Sequence, residues 1–393
     1  MSGTTLIFDL DLGGHHPGYL LHLARRADER DEAQRLVFGV APEFLDRHPS
    51  EAAAIRRHGV RFVFSGPAAS GLKPVKHALW EWRHLCEMAR GVRADHAISL
   101  YIDRLIQVPL ALRRPPPCRV SGIYFRPTFH YPKFSGWRPT IADRVRGARQ
   151  ATALRSALSH PSLGTLFTLD PFAADHCQNW HGGHRMRALA DPVKTPKPDH
   201  EAAGALRLRL GLDPNRTVFV LLGVLTERKG IDVLLKAIAQ LEESVARQCS
   251  VVLAGPLPDD ALRRRIEEAA TATSVHLVLD ARQIPAHEVH HYFVAADVVL
   301  APYQRHVGMS ALLIRAAASG CPVIASDWGL LGAMTRKYEL GVAIDSTSPV
   351  ALAQAIGTAL ERGPALGNAA RMAEFAELND ADRFADALLD SVT

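Results

Sequence analysis

Residues 216–240 read RTVFVLLGVLTERKGIDVLLKAIAQ, and this stretch decides the fold. Thr217–Leu222 is a short apolar run rich in β-branched residues, which predicts a buried parallel strand and not a helix. The strand ends at Gly223. An amphipathic helix follows from about Gly230, with Ile231, Leu234, Leu235 and Ile238 on one face. Arg228 and Lys229 fall in the connection, where the carboxyl end of a strand meets the amino end of a helix. Open α/β sheets hold anionic ligands at such junctions, and two fixed cations there point to a diphosphate.

The same grammar extends in both directions. Towards the carboxyl terminus, strand-like runs recur at Val251–Ala254, Val275–Leu279, Val298–Ala301 and Pro322–Ala325, with amphipathic helices between most of them. Towards the amino terminus they recur at Thr5–Leu10, Arg35–Val40, Arg61–Ser65, His96–Ser99, Val120–Tyr124 and Leu163–Thr168. Strands alternating with helices of this length predict right-handed βαβ units and doubly wound parallel sheets. Ala190–His200, ADPVKTPKPDH, has three prolines and no apolar periodicity, which reads as a semi-rigid linker. The expected organisation is α/β: an amino-terminal Rossmann-like domain over 1–190, a linker over 191–200, a second such domain over 201–362 and a helical tail over 363–393. A cleft between two such lobes is the default ligand site.

A chain of 393 residues suits two domains rather than one core. Its 47% apolar and 22% charged residues are those of a soluble globular protein. The formal net charge of +5 is compatible with phosphate-bearing ligands or peripheral contact with an anionic membrane surface. The basic residues are too scattered to argue for nucleic acid. Five dispersed cysteines without a CxxC pair give no disulfide frame or zinc ribbon. With no signal-peptide pattern and no run of 18 apolar residues, a cytoplasmic location is expected.

The carboxyl-terminal half resembles that of GT-B glycosyltransferases, above all the retaining family 4. LLGVLTERKGIDVLLKAI is similar to the strand–Gly–RKG–helix phosphate motif of that family. VVLAGPLPDDALRRRIEE resembles its second strand–Gly–Pro–helix unit, and ADVVLAPYQRHVGMSALLIRAAASGCPVIASDWG resembles its donor-sugar segment. The likeness spans about residues 186–345. In the first half only DLGGHHPGYLLHLA and PTFHY resemble the family. The resemblance implies that Lys229 grips the donor diphosphate with Arg228 beside it. It implies that Gly308, Met309 and Ser310 form the glycine turn whose amides face phosphate. It implies that Gly13 and Gly14 form the turn where donor and acceptor meet, and that His130 lies near the reacting sugar. The implied enzyme takes a nucleoside-diphosphate sugar as co-substrate, uses no metal or other cofactor, and retains the anomeric configuration. The acceptor is a glycan, a lipid-linked precursor or a small metabolite.

Two departures from the family pattern stand out. Val224 occupies the place of an arginine after the first glycine. Val307 and Arg315 occupy the places of a glutamate pair that brackets sugar and ribose. Arg315 donates hydrogen bonds but accepts none, so it is expected to meet phosphate or hydroxyl lone pairs, and His306 to replace the first carboxylate. A non-catalytic GT-B relative acting as a binding or regulatory partner is the alternative. Other candidates come from the residues themselves. His15 and His16 lie in the first glycine turn and are expected to face the cleft, whereas His22 packs on its helix. Arg126 and Tyr131 lie in a proline-broken loop on the acceptor side, with Trp137 extending an aromatic wall. Asp9–Asp11 spells DxD, but acidic residues at a strand end commonly cap the next turn. His287–His291 fits HExxH, a zinc-site spacing that arises easily in a chain with 19 histidines.

Overall fold

The computed structural model describes residues 3–66, 71–108, 115–194 and 196–392; residue 195 of the expected linker lies outside them. Two parallel sheets are present, and the chain divides into two compact units. The first sheet comprises β1 (Thr5–Asp9), β2 (Leu36–Val40), β3 (Arg61–Phe64), β4 (His96–Ser99), β5 (Arg119–Ile123), β6 (Leu163–Thr168) and β7 (Met186–Ala188), in the order β3-β2-β1-β4-β5-β6-β7. The second comprises β8 (Thr217–Leu222), β9 (Cys249–Ala254), β10 (His276–Asp280), β11 (Val298–Ala301), β12 (Val323–Ser326) and β13 (Gly341–Ile344), in the order β10-β9-β8-β11-β12-β13.

The eleven expected strands are all present, shifted by no more than a residue or two. Central strands such as β1, β2, β4 and β9 are buried at every position, as two-sided parallel strands must be. The two strands that sequence reading omits, β7 and β13, each close one end of a sheet, the end opposite β3 and β10. β7 has three residues, two of them exposed, and β13 opens on a glycine and is half-buried throughout. In both sheets the order reverses beside the first strand: β1 and β4 diverge in one, β8 and β11 in the other. Crevices at such reversals are where doubly wound sheets bind ligands.

The expected domain boundaries need correction in two places. The first unit takes in residues up to His130, Pro139–Pro192 and the chain from Asp380 onward; the second takes in Tyr131–Arg138 and Val193–Asn379. The 363–393 tail is therefore divided. Its helix Ala369–Leu378 buries Met372 and Phe375 in the second unit, and its helix Ala381–Leu389 belongs to the first. There Arg26 forms a two-pronged pair with Asp386, Arg30 reaches both Asp386 and Asp390, and the Phe384 ring lies 4.7 Å from that of Tyr19. The short segment Tyr131–Arg138 joins the second unit because Tyr131 is fully buried and Arg138 pairs with Asp327 and Asp345. Among the described residues no helix is long and apolar enough to cross a membrane.

Candidate functional site

In the second unit, the β8 connection forms a tight turn. Leu222 leads into Gly223, a short 3-10 turn covers Glu227–Lys229, and Gly230 then starts the helix Ile231–Ile238. Gly230 has φ +79°, and a Cβ there would lie 2.1 Å from the Pro302 carbonyl oxygen. Only glycine lets the β8 and β11 connections pack this closely. The Gln304 amide donates to the Arg228 carbonyl at 2.8 Å, tying the two connections together.

Successive residues of a 3-10 turn point about 120° apart, so the two cations part company. Lys229 turns inward and is 8% exposed. Its Nζ donates to the Leu222 carbonyl at 3.2 Å and to the Tyr303 hydroxyl at 2.6 Å, and lies 4.1 Å from the centre of the Tyr303 ring. Burial, and then the neighbouring Arg228 charge, pull the ammonium from its ordinary 10.5 down to about 8. Among the described residues no carboxylate forms an ion pair with Lys229. Arg228 stays exposed and donates from Nη1 to His306 Nδ1 at 3.1 Å. That bond fixes the imidazole as the Nε2–H tautomer, which donates to the Met309 carbonyl at 3.3 Å. His306 is thus spent on holding Arg228 and the glycine turn.

Ser310 caps the helix Ala311–Ala318 without a side-chain bond to its first turn, and its hydroxyl reaches the buried Tyr303 phenol instead. First-turn amides of a helix have no intrahelical acceptor. Gly308 departs from expectation: its amide is not free for phosphate but donates to the Tyr131 hydroxyl at 3.2 Å. Tyr131 itself is corrected from an acceptor-side wall to a buried support of this turn, packed edge-on against Trp137 and Trp328. Val224 is 52% exposed at the position where the family has arginine. Arg315 is half-buried on its helix, and its charge is felt by the buried His290.

The first unit gathers a second group at its own β1/β4 reversal. Gly13 and Gly14 form an exposed turn with nothing within 4 Å of a hypothetical Cβ. His15 is exposed beside it and packs on Tyr19 and Phe125 at 4.5 and 5.2 Å. His16 differs from expectation: it opens the helix His16–Glu29, is 5% exposed, and sets Nδ1 at 2.8 and 3.0 Å from the two Asp9 oxygens. Burial depresses its imidazole, but the Asp9 bond and charge outweigh that and raise it. Arg126 is exposed and near enough to His15 for its charge to act there. Its loop is held by buried Asp103, which accepts from the Phe125 and Arg126 amides at 2.8 and 3.0 Å. Burial pushes that carboxyl up to about 6.

His130 is also corrected. Its side chain is 1% exposed, with Nε2 3.0 Å from Asp170, whose other oxygen caps the helix Pro171–Cys177. It is buried within the first unit. The DxD and HExxH spacings find other partners. Asp9 is taken by His16, Asp11 by Arg104, and Glu288 by Arg282. Sequence reading missed Tyr303, which holds Lys229, and Asp103, which holds the Arg126 loop.

Known proteins bear out the architecture. Residues 216–362 match the family model described as glycosyl transferases group 1. The matched residues lie within the second unit. Over 183 residues the chain is 30% identical to the GDP-mannose-dependent alpha-(1-6)-phosphatidylinositol monomannoside mannosyltransferase of Mycolicibacterium smegmatis, covering 44% of this chain and 47% of that protein. It is 32% identical over 196 residues to the D-inositol 3-phosphate glycosyltransferase of Rhodococcus jostii, covering 48% and 42%. The aligned stretches therefore span less than half the length of these relatives. Among solved structures, a glycosyltransferase from Rickettsia africae superposes with a TM-score of 0.70 at 9% identity, covering 100% of this chain and 98% of that one. Anabaena HepE in complex with UDP gives 0.66 at 15%, covering 99% of each. The fold is GT-B, and Lys229, Arg228 and the glycine turn all lie among the residues that the family model matches.

Proposed function

We propose that this protein transfers a glycosyl unit from a nucleoside-diphosphate sugar to an acceptor hydroxyl, with retention of configuration and without a metal. The observation that carries the reading is Lys229: a buried ammonium beside a second cation that, among the described residues, donates to neutral oxygens and pairs with no carboxylate. A buried charge without a counter-charge is unfavourable unless function needs it. A diphosphate dianion arriving at the end of β8 supplies the missing charge, and the amino end of the helix Ala311–Ala318 adds its dipole. As the bond from the anomeric carbon to phosphate breaks, charge builds on the departing diphosphate, and these fixed groups stabilise it without reorganising. The acceptor oxygen forms the new bond; by resemblance to the family, the donor phosphate takes its proton. The sugar transferases and the UDP-bound neighbour among similar proteins support this reading.

The alternative, a GT-B relative that binds nucleotide but transfers nothing, draws on Val307 and Arg315 in place of the family carboxylates. A screen of nucleotide sugars separates the two. The transferase reading expects slow hydrolysis of one sugar nucleotide without acceptor, abolished in Lys229→Ala, whereas binding without hydrolysis of any sugar nucleotide favours the alternative.

A further inference from the structure

We propose that the first unit docks on an anionic lipid surface through the opening turns of two helices, Pro74–Gly91 and Ile141–Leu158. These helices follow β3 and β5, and the sheet is parallel throughout, so their first turns lie at the sheet edge that also carries the Gly13–Gly14 turn. The short helix Asp103–Gln107 packs against both. An open groove of about 740 Å³ is lined by Pro74 from the first helix, Gln107 from the short one and Ile141, Val145 and Arg149 from the other.

The aliphatic side chains in these opening turns are unusually bare. Ile141 is 83% exposed, Val75 55%, Val145 54% and Leu79 36%. Val75 and Leu79 are four residues apart, as are Ile141 and Val145, so each pair forms a stripe on one helix face. Single exposed aliphatics are ordinary, but two paired stripes on helices that flank the same short helix mark an interaction surface.

Charge identifies the partner. Lys73, Lys76, Arg144, Arg146 and Arg149 are exposed in the same turns. The opening turns, residues 72–81 and 139–149, hold only two carboxylates, Glu81 and Asp143, and both are buried: Glu81 pairs with Arg104, and Asp143 closes the cap at Thr140 and pairs with Arg146. Among the described residues Lys73, Lys76, Arg144 and Arg149 form no ion pair, so the opening turns stay basic; the exposed Glu87, further along the first helix, pairs with Arg83. Long cationic side chains around short aliphatic ones match a bilayer surface, where headgroup phosphates meet the charges and the acyl boundary takes the aliphatic tips. A protein partner would favour exposed aromatic anchors, and these turns expose none. Docking at this edge narrows the acceptor to one anchored in the membrane plane, a point that rests on the transferase reading; the docking itself does not.

The test is co-sedimentation of the full chain, without nucleotide, with vesicles of phosphatidylcholine alone or doped with phosphatidylglycerol. Binding is expected to the doped vesicles only and to fall as salt rises. The double variant Arg144→Glu/Arg149→Glu is expected to bind at least about tenfold more weakly, and Ile141→Ser/Val145→Ser about tenfold more weakly. Unchanged melting temperatures and nucleotide binding in both variants verify their folds. Failure to bind doped vesicles at low salt overturns the proposal, as does wild-type binding by either variant. Loss in the arginine variant alone is one such overturning result, because charge without the aliphatic stripes would then hold the chain to the vesicle. Nucleotide titration of the same wild-type sample keeps the two readings apart: vesicle binding without nucleotide binding sinks only the transferase.

Discussion

Lys229 is where function and stability pull against each other. Its ammonium is pulled from 10.5 to about 8 by burial first and by Arg228 second. Between those two values the unfolded chain keeps a proton that the native chain has shed, so the destabilisation due to this charge shrinks as pH rises through that window. Lys229→Met removes the charge and keeps the bulk. We expect it to raise apo stability by about 1 kcal/mol, the relieved burial outweighing the two lost hydrogen bonds, as read by thermal unfolding at pH 7. Anion binding has the opposite pH dependence: a diphosphate prefers the protonated form, so its affinity should fall above pH about 8. Nucleotide-induced melting shifts at pH 7 and pH 9 check this; equal shifts would detach binding from Lys229. The sequence made the cation pair legible because charges between a strand and a helix have few other uses. It could not tell which of two neighbours turns inward, since that depends on the 3-10 geometry of the turn. Nothing in Ala301–Gln304 signals that the Tyr303 hydroxyl meets the ammonium.

Elements were legible where periodicity is strong and illegible where packing decides. Buried strands announce themselves by unbroken apolar runs; β7 and β13 do not, because edge strands of three or four half-exposed residues lack that pattern. The segment Tyr131–Arg138 was misread for a related reason. An irregular loop has no period from which to infer a buried face, so its aromatic residues looked like a wall for an acceptor. Instead the Tyr131 hydroxyl satisfies the Gly308 amide. Tyr131→Phe leaves that buried N–H unpaired, and a loss of about 1–3 kcal/mol is expected by chemical denaturation, with nucleotide affinity falling as the turn loosens. Gly230→Ala tests the contact between the β8 and β11 connections: with a Cβ 2.1 Å from the Pro302 oxygen at φ +79°, it should cost about 2 kcal/mol or more. An unchanged melting temperature would mean that these connections are not locked.

At the scale of the whole molecule, two Rossmann-like sheets follow from the alternation of strands and helices, but the boundaries of the units do not. The break at Asn379–Asp380 is visible as a turn, yet only the pairing of Arg26 and Arg30 with Asp386 assigns the last helix to the first unit. Deleting the chain from Asp380 onward removes the buried Phe384, Leu388 and Leu389. Limited proteolysis should then cut the first unit while sparing the second; equal resistance of both would contradict the assignment. The account as a whole rests on a diphosphate meeting Lys229. Calorimetric titration of UDP, GDP and ADP into the wild-type chain and Lys229→Met tests that claim most directly. At least one nucleotide should bind the wild type, and the variant should bind it about 10- to 100-fold more weakly, the loss of one charge-assisted hydrogen bond of about 1.5–3 kcal/mol. Equal affinity in the two proteins, or no binding of any nucleotide to the wild type, would contradict it.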